Sequence, residues 1–366
     1  MSSALFSPIR LAGLELPNRI VVAPMCQYSA DDGSATDWHM MHLGMLANSG
    51  AGLVVVEATA VERIGRITHG CLGLYSDDNE LALARVIMRC KRSGTARFGV
   101  QLAHAGRKAS AQLPWNGAQA LKAGEDPWPT IGPSALAYGE NWHMPAMMTQ
   151  ADMDRVRDAF VNAAKRALRI GFDEIELHMA HGYLMHSFMS PLSNTRTDGY
   201  GGSLANRLKF PLAVTRAVRD VVPRSVALGA RYTGSDWRDG GLTPDDAVEI
   251  ARALKAAGLD FVGVSSGGVT ADTRTPSEPG YNVGIAERVK KEAGLPTRVV
   301  GMIYEPRQAE DIIAGGRADM VALARAFLND PHWGWHAAAA LGADVARPNQ
   351  YLRAAPRFWA PAAAPA

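Results

Sequence analysis

The sequence has little of what marks an exported, membrane-bound or nucleic-acid-binding protein. Only 3 of its 366 residues are cysteines, and Cys26, Cys71 and Cys90 lie too far apart to indicate a disulfide framework. Basic residues (38) and acidic residues (36) are interspersed, so no charged surface for nucleic acid or anionic lipid is predicted. The apolar runs have only the length of strands, and no charged leader precedes a hydrophobic block. We therefore expect a cytoplasmic protein with neither a nucleic-acid nor a membrane partner.

The chain also lacks the Gly-x-Gly-x-x-Gly fingerprint of Rossmann domains. Its apolar residues instead recur in short runs rich in Val, Ile and Leu, most of which are followed by an amphipathic stretch. Continuous apolar strands that alternate with helices predict a parallel sheet covered by helices, and eight such units fit a closed (β/α)8 barrel. The eight runs are Ile20–Ala23, Leu53–Val56, Phe98–Gln101, Ile175–Leu177, Val226–Gly229, Phe261–Val264, Arg298–Gly301 and Met320–Leu323.

We predict that residues 1–366 form one barrel domain with three additions. These are an N-terminal lid, a capping insertion after the third strand at about residues 104–150, and a C-terminal tail at about residues 345–366. Thr243, followed by Pro244 and two aspartates, predicts the start of one outer helix, and Gly258 predicts its end.

The fourth predicted strand ends in two imidazoles and a phenol, those of His178, His181 and Tyr183. The alternation of residues along the strand places His178 on the same face as Glu174 and Glu176. Such a group is suited to holding an oxygen atom and moving a proton. A purely structural role for the histidines is one alternative, and a metal site is another. We expect no metal site, because a third ligand is hard to find near this pair.

Polar or unusual residues also follow most of the other predicted strands. In a barrel, the loops at the carboxyl ends of the strands converge on one mouth, where chemistry takes place. The sequence therefore predicts one site there, and the residues at these strand ends include Pro24, Met25, Cys26, Tyr28, Ala60, Gln101, Arg231, Gly301 and Arg325.

Several motifs in this register resemble those of the old yellow enzyme family of FMN-dependent ene reductases. More narrowly, the chain resembles the shorter bacterial branch that includes the xenobiotic reductases. The resemblance spans nearly the whole chain and is most specific around the histidine pair. The matching segments are Leu5–Pro8, Asn18–Ile20, His178–Leu184, Ser193–Ser203, Asn206–Arg207 and Gln350–Arg353.

The resemblance implies a tightly bound, non-covalent FMN and NADPH as the hydride donor. Cys26 matches the thiol that tunes the flavin potential, and Arg231 matches the cation that stabilises the reduced flavin. A buried apolar role is the alternative for Cys26. An ion pair of Arg231 with Glu176 is also expected, and it does not exclude a role of Arg231 beside the flavin. Ala324 departs from the family's usual glycine. The implied FMN contacts are Pro24, Met25, Cys26, Ala60, Gln101, Arg231, Gly301, Ala324 and Arg325.

The resemblance also implies ping-pong reduction of the activated C=C bond of enones and enals. His178 and His181 would hold the carbonyl oxygen, and Tyr183 would donate the proton. Tyr28, Lys108, Trp115 and Trp142 are candidates to line or cover the substrate space, and the alternative for each is an ordinary structural role as a core aromatic or a solvated amine. Arg353 matches an arginine that enters a neighbouring subunit's site, which implies a homodimer or a tetramer.

Three other functions are open at this point. The first is a flavin-free barrel enzyme, such as an aldolase or a metal hydrolase. The second is a non-catalytic flavoprotein that senses redox state through Cys26. The third is a larger dienoyl-CoA reductase, which three dispersed cysteines disfavour because they cannot hold a four-iron cluster.

Overall fold

A closed barrel of parallel strands forms the body of the computed structural model, which describes residues 3–363. The strands are β1 (Ile9–Leu11), β2 (Leu14–Leu16), β3 (Ile20–Val22), β4 (Leu53–Ala60), β5 (Arg97–Ala103), β6 (Ile131–Gly132), β7 (Ala146–Met147), β8 (Glu174–Met179), β9 (Ala227–Thr233), β10 (Phe261–Ser265), β11 (Thr297–Val299) and β12 (Met320–Leu323). The barrel contains β3, β4, β5, β8, β9, β10, β11 and β12 in chain order, and β12 closes it by pairing with β3. Each predicted apolar run lies at one of these strands, so the predicted (β/α)8 barrel is confirmed.

Helices surround the barrel and cover the outer face of its strands. They are α1 (Asp37–Leu46), α2 (Asp77–Ser93), α3 (Gln150–Ile170), α4 (Leu184–Met189), α5 (Leu204–Arg207), α6 (Lys209–Val221), α7 (Pro244–Ala256), α8 (Val283–Ala293), α9 (Pro306–Ala314), α10 (Arg325–Asn329) and α11 (Trp333–Leu341). The predicted start of α7 is confirmed, because the Thr243 hydroxyl accepts a hydrogen bond from the Asp246 N–H and Pro244 opens the helix.

Successive residues of the barrel strands point alternately into the barrel and outward to the surrounding helices, and each set packs in its own hydrophobic core. Val54 and Val56 pack against the outer helices, whereas Leu53 and Val55 point into the barrel. The leucines of the β1–β2 hairpin join this inner cluster. Gly13, at the tip of the hairpin, lies against the backbone of Arg224 just before β9. The predicted N-terminal lid is therefore a hairpin that closes the amino end of the barrel, opposite the mouth where the site was predicted.

The capping insertion lies between β5 and α3, after the third barrel strand as predicted. It contains two short 3₁₀ helices, Gly106–Lys108 and Pro114–Asn116, and the small β6–β7 pair. Arg107 is 1% exposed and fixes the insertion, because its guanidinium donates to the carbonyl oxygens of Leu136, Ala137 and Val269. This arginine ties both parts of the insertion to the loop after β10.

The C-terminal tail continues beyond α11 in two further 3₁₀ helices, Asn349–Ala354 and Ala360–Ala363. The ring of Tyr351 lies 6.0 Å from that of Trp335 on α11, in an edge-to-face contact. The last three residues of the predicted tail, 364–366, lie outside the described residues. Over residues 3–363, every helix is too short or too polar to cross a bilayer.

Candidate active site

A buried charged network lies inside the barrel on the β8 face that also carries His178. Ile175 and Leu177 pack outward, so Glu174, Glu176 and His178 share the inner face, as predicted. The Arg298 guanidinium, on β11, binds both carboxylates, at 3.1 Å from Glu176 and still closer to Glu174. Gln101 Nε2 donates to Glu176 Oε1 at 2.7 Å. Each buried charge therefore has a partner.

Arg298 was missed in the sequence, where it was assigned only to an apolar strand. A lone basic residue at the start of such a run was the available signal, because a buried cation needs an anionic partner. The expected pairing of Glu176 with Arg231 is wrong. Glu176 is bound to Arg298, whereas the Arg231 guanidinium donates to Ser265 Oγ at 3.2 Å.

Arg231 borders a cavity of about 380 Å³ at the carboxyl ends of β11 and β12. Burial lowers the pKa of Arg231, although the nearby Glu176 opposes this shift, and among the described residues its Nε has no hydrogen-bond partner. Gly301, Ala324 and Arg325 also line this cavity, and their contact with an FMN phosphate stays a prediction.

Gly301 lines this cavity at a position where the surrounding residues leave no space for a side chain. Its φ is +122°, and an added Cβ would lie 3.0 Å from both the Asn282 amide nitrogen and the Tyr281 ring. Two arginines in the cavity lining, a glycine at the crowded strand end and an unpartnered buried N–H on Arg231 together fit an FMN. Arg231 would face the flavin ring, and Arg325 would face the phosphate.

His178 and His181 lie edge to face, with their ring centroids 5.1 Å apart. The Ala180 N–H donates to His178 Nδ1, so the proton of neutral His178 is on Nε2, which lies 3.3 Å from His181 Nδ1. The other nitrogen of His181 lies 2.7 Å from Ser265 Oγ. Burial, followed by the charge of Arg231, lowers the pKa of both histidines well below its usual value. Both rings are therefore neutral near pH 7.

The Tyr183 ring lies against that of His178 at a centroid distance of 4.9 Å. Burial raises the pKa of its phenol well above the usual value, and the neighbouring Cys26 and Tyr28 contribute to the rise. Tyr183 therefore keeps its proton at neutral and mildly alkaline pH. A protonated phenol beside a neutral imidazole is a suitable proton donor.

Lys108 of the insertion lies over this group of side chains. Its ammonium donates to the carbonyl oxygen of His181 at 2.8 Å and lies 5.0 Å from the centre of the Tyr183 ring. Burial, together with the charge of Arg107, lowers the pKa of Lys108 to about 7. The insertion thus places a titratable amine directly over the turn that carries His181.

We expect Lys108 to make the free energy of unfolding depend on pH. From about pH 7 to its usual pKa of 10.5, the unfolded chain holds a proton on Lys108 that the folded protein has released. Stability contributed by this site therefore rises with pH across that window and is lowest below it. Urea unfolding at several pH values should give a shallower rise for Lys108→Met than for the parent protein. Parallel curves would contradict the assignment.

Cys26 lies on the segment after β3, where Pro24 and Met25 precede it, and all three residues are half-buried. Burial, and then the nearby Glu57 carboxylate, raises the pKa of the Cys26 thiol well above its usual value. Glu57 is itself buried at a bulge in β4, where it accepts a hydrogen bond from the Gln27 N–H at 3.1 Å. Cys26 is therefore a neutral thiol rather than a thiolate.

The remaining predicted cofactor contacts lie at the same mouth but already have protein partners. The Ala60 N–H donates to the Leu72 carbonyl at 2.8 Å, and the amide of Gln101 is bound to Glu176. One lone pair of the Ala60 carbonyl and the Gln101 carbonyl oxygen are the groups best placed to accept further hydrogen bonds. Contacts of both residues with FMN stay a prediction.

The predicted pocket-lining residues differ in position. Tyr28 has a left-handed backbone, with φ at +52°, and its ring lies 6.0 Å from that of Trp115 in the insertion. Arg353 is exposed on the tail, and in the described part of this single chain its side chain has no hydrogen bond or ion pair. Its predicted role depends on a second copy of the chain.

Two further polar residues near the site were missed in the sequence. His186 on α4 and Asp236 after β9 are both completely buried, and His186 Nε2 lies 2.9 Å from Asp236 Oδ1. They are 50 residues apart in the sequence, so nothing local signalled their contact. Within residues 3–363, groups of three or more potential metal-ligating side chains are absent.

The barrel, the cavity and the histidine pair define a flavin-dependent oxidoreductase, and comparison with known proteins agrees. The chain matches the NADH:flavin oxidoreductase / NADH oxidase family over residues 4–343. It is 43% identical over 355 residues to the NADPH dehydrogenase of Geobacillus thermodenitrificans (strain NG80-2), which covers 96% of this chain and 99% of that protein. The chain therefore belongs to the NADH:flavin oxidoreductase / NADH oxidase family.

Solved structures agree on the architecture. Morphinone reductase matches with a TM-score of 0.77 at 26% identity, and the match covers 95% of this chain and 92% of that one. A 2-naphthoyl-CoA reductase complex matches with a TM-score of 0.81 at 24% identity, which supports the fold alone. This chain spans about half of that longer protein, 52%. The resemblance to the old yellow enzyme family is confirmed. The protein is an enzyme with FMN as its cofactor and a reduced nicotinamide as a substrate.

Proposed function

We propose that this enzyme is an NADPH-oxidising ene reductase that reduces the activated C=C bond of α,β-unsaturated carbonyl compounds. The observation that carries the proposal is the 3.3 Å approach of His178 Nε2 to His181 Nδ1, with the Tyr183 phenol against the same imidazole. Bound FMN supplies hydride transfer, from NADPH in one half-reaction and to the β-carbon of the alkene in the other. The protein's own side chains supply the rest.

The two imidazoles are suited to binding a carbonyl oxygen. His178 Nε2–H points at His181, so an oxygen that enters between the rings takes this hydrogen bond. Ser265 lets His181 donate as well, because its hydroxyl can donate a hydrogen bond to an unprotonated His181 Nε2, which leaves the ring proton on Nδ1. Two donors at one oxygen stabilise the negative charge that grows there as hydride reaches the β-carbon.

Tyr183 supplies the proton at the α-carbon. Its raised pKa keeps the phenol protonated, and its contact with the His178 ring supports proton donation to a carbonyl compound that the imidazole would hold. Reduced nicotinamide and enone would bind in turn at the same site beside these side chains. Because both substrates share one site, the oxidised nicotinamide must leave before the enone binds, and ping-pong kinetics are expected.

Two rival functions are disfavoured, one by the surroundings of Cys26 and the other by the family to which the chain belongs. A redox sensor based on Cys26 needs a reactive thiolate, whereas the pKa of this thiol is raised by burial and by Glu57. A flavin-free lyase or hydrolase does not agree with the match to the NADH:flavin oxidoreductase / NADH oxidase family over residues 4–343.

The two half-reactions test the proposal separately. Purified enzyme should contain FMN, lose its flavin absorbance on anaerobic mixing with NADPH, and regain it on addition of 2-cyclohexen-1-one. A His178→Ala, His181→Ala double variant should lose most of the second step. Enzyme that NADPH reduces but that no enone reoxidises would sink the proposal. A parallel experiment with NADH measures the coenzyme preference.

We also propose a homodimer or tetramer in which Arg353 enters the neighbouring site. Truncation after Pro348 should then lower enone turnover by about tenfold, the loss expected for one charged hydrogen bond, with FMN binding retained. The matched point variants are Arg353→Ala, which should reproduce the loss, and Arg357→Ala, which should not. Equal turnover in Arg353→Ala and the parent would refute this role.

A further inference from the structure

A buried aspartate–histidine pair lies directly behind the turn that carries His181 and Tyr183. His186 and Asp236 have no exposed surface, and their side chains meet at 2.9 Å. Burial alone would raise the pKa of Asp236, but the neighbouring His186 and the hydrogen bonds from Leu242 and Ser190 hold it below its usual value. Asp236 is therefore an ionised carboxylate facing an imidazole.

The backbone fixes which nitrogen of His186 carries the proton. The Gly182 N–H donates to His186 Nδ1 at 2.7 Å, and a backbone N–H can only donate. Nδ1 must therefore be unprotonated, which leaves the proton on Nε2, where it faces Asp236. The negative charge of the carboxylate, 2.9 Å from Nε2, thus favours the one tautomer of His186 that accepts from Gly182, although the Nε2–H is not aligned with Oδ1 for a hydrogen bond.

The turn held in this way has an unusual backbone. His181 and Gly182 are both left-handed, with φ of +59° and +76°. Their consecutive N–H groups are both bound, that of His181 by Thr233 Oγ1 at 3.3 Å and that of Gly182 by His186. Without Thr233 Oγ1 or His186 Nδ1 as an acceptor, one of these N–H groups loses its hydrogen bond and the turn is held less firmly. The turn carries the imidazole of His181 and leads directly into Tyr183.

We infer that His186 and Asp236 are positioning residues that keep His181 and Tyr183 in register with the substrate. This inference rests on the proposed function, because it assigns the pair to the enone half-reaction. Hydride arrival and proton donation must occur at neighbouring carbons, so a displacement of the turn by about 1 Å is expected to cost about 100-fold in that step.

Asp236→Asn is the sharpest test because it changes a single atom type. Asp236 Oδ2 accepts from the Leu242 N–H at 2.8 Å, so the asparagine carbonyl must take that position and its NH2 must face His186. His186 Nε2 then has to accept a hydrogen bond from this NH2 group, so the ring proton moves to Nδ1. The Nδ1–H and the Gly182 N–H are both donors and cannot bind each other. The hydrogen bond that holds the turn is lost.

The tautomer can be read without any turnover. In a ¹⁵N–¹H spectrum of the FMN-loaded enzyme labelled at histidine, we expect His186 to change from the Nε2–H to the Nδ1–H form in Asp236→Asn. Its signal is assigned by its loss in His186→Asn. Stopped-flow should then give about 100-fold slower reoxidation by 2-cyclohexen-1-one, with a smaller change in reduction by NADPH.

Asp260→Asn is the matched control, since Asp260 is an aspartate with a 6% exposed side chain at the amino end of β10 that pairs with Arg219 at 2.9 Å. An unchanged tautomer, or a reoxidation rate equal to that of the control, would overturn the inference. A parent enzyme that no enone reoxidises would instead sink the proposed function and leave the tautomer result standing.

A second pair of variants decides the question if Asp236→Asn does not fold. His186→Asn retains an acceptor close to the Nδ1 position, whereas His186→Leu removes it. We expect reoxidation to survive in the asparagine variant and to fall in the leucine variant. Equal rates in the two would overturn the inference.

Discussion

Replacing Tyr183 with phenylalanine should slow reoxidation by 2-cyclohexen-1-one by about 10²- to 10⁴-fold, the range expected for loss of a general acid. The phenylalanine ring keeps the 4.9 Å packing against His178, so the pocket should retain its shape. Reduction by NADPH needs no proton at carbon and should change only slightly. Anaerobic stopped-flow measurement of each half-reaction provides the test.

Tyr200→Phe is a suitable control for this prediction, because the Tyr200 hydroxyl donates to Gln150 at 2.8 Å, outside the group around His178. Both half-reactions should proceed at parental rates in that variant. If Tyr183→Phe slowed reduction and reoxidation equally, Tyr183 would be a packing residue rather than the proton donor.

Replacing Arg298 with alanine should destabilise the fold by about 3–5 kcal/mol, because it leaves two carboxylates buried without their cation. Glu174 and Glu176 are 0% and 1% exposed, so water cannot replace the lost partner. Since typical domains are stable by only about 5–15 kcal/mol, this is a large fraction of the total. Urea unfolding followed by circular dichroism measures the change.

Two comparisons separate the loss of charge pairing from the loss of packing. Arg317→Ala removes a half-exposed ion pair with Glu287 and should cost less than about 1 kcal/mol. Adding Glu174→Gln and Glu176→Gln to Arg298→Met should recover much of the lost stability, because no unpaired charge then remains. Equal losses in Arg298→Ala and Arg317→Ala would contradict the role assigned to the buried network.

The sequence predicted the barrel because its signal is local. Alternation of residues within each strand, and the Thr243-Pro244 start of α7, depend on neighbours a few positions away. The same alternation placed His178 correctly on the inner face with Glu174 and Glu176. The positions of the strand ends, together with the family motif, predicted that the histidine pair, Arg231 and Gly301 lie at the same mouth of the barrel.

What the sequence could not provide were contacts between distant residues. Arg298 meets Glu174 across 124 positions, and inside an apolar run it was taken for part of a strand only. The pairing of His186 with Asp236 depends on how the loop after β9 folds back. The conformation of the insertion likewise follows from Arg107, whose acceptors lie in segments far apart along the chain.

The contacts of Arg107 hold the insertion on both sides of an exposed stretch around Trp115. Trp115 is 65% exposed and lies between the anchored ends, so the stretch around it is open to randomisation in directed evolution. Libraries that spare Arg107 and the segments of its three acceptor carbonyls should reshape substrate range without reshaping the catalytic mouth. A single buried guanidinium would thus separate the part of the insertion that must be kept for the fold from the part that can be varied to change the substrate range.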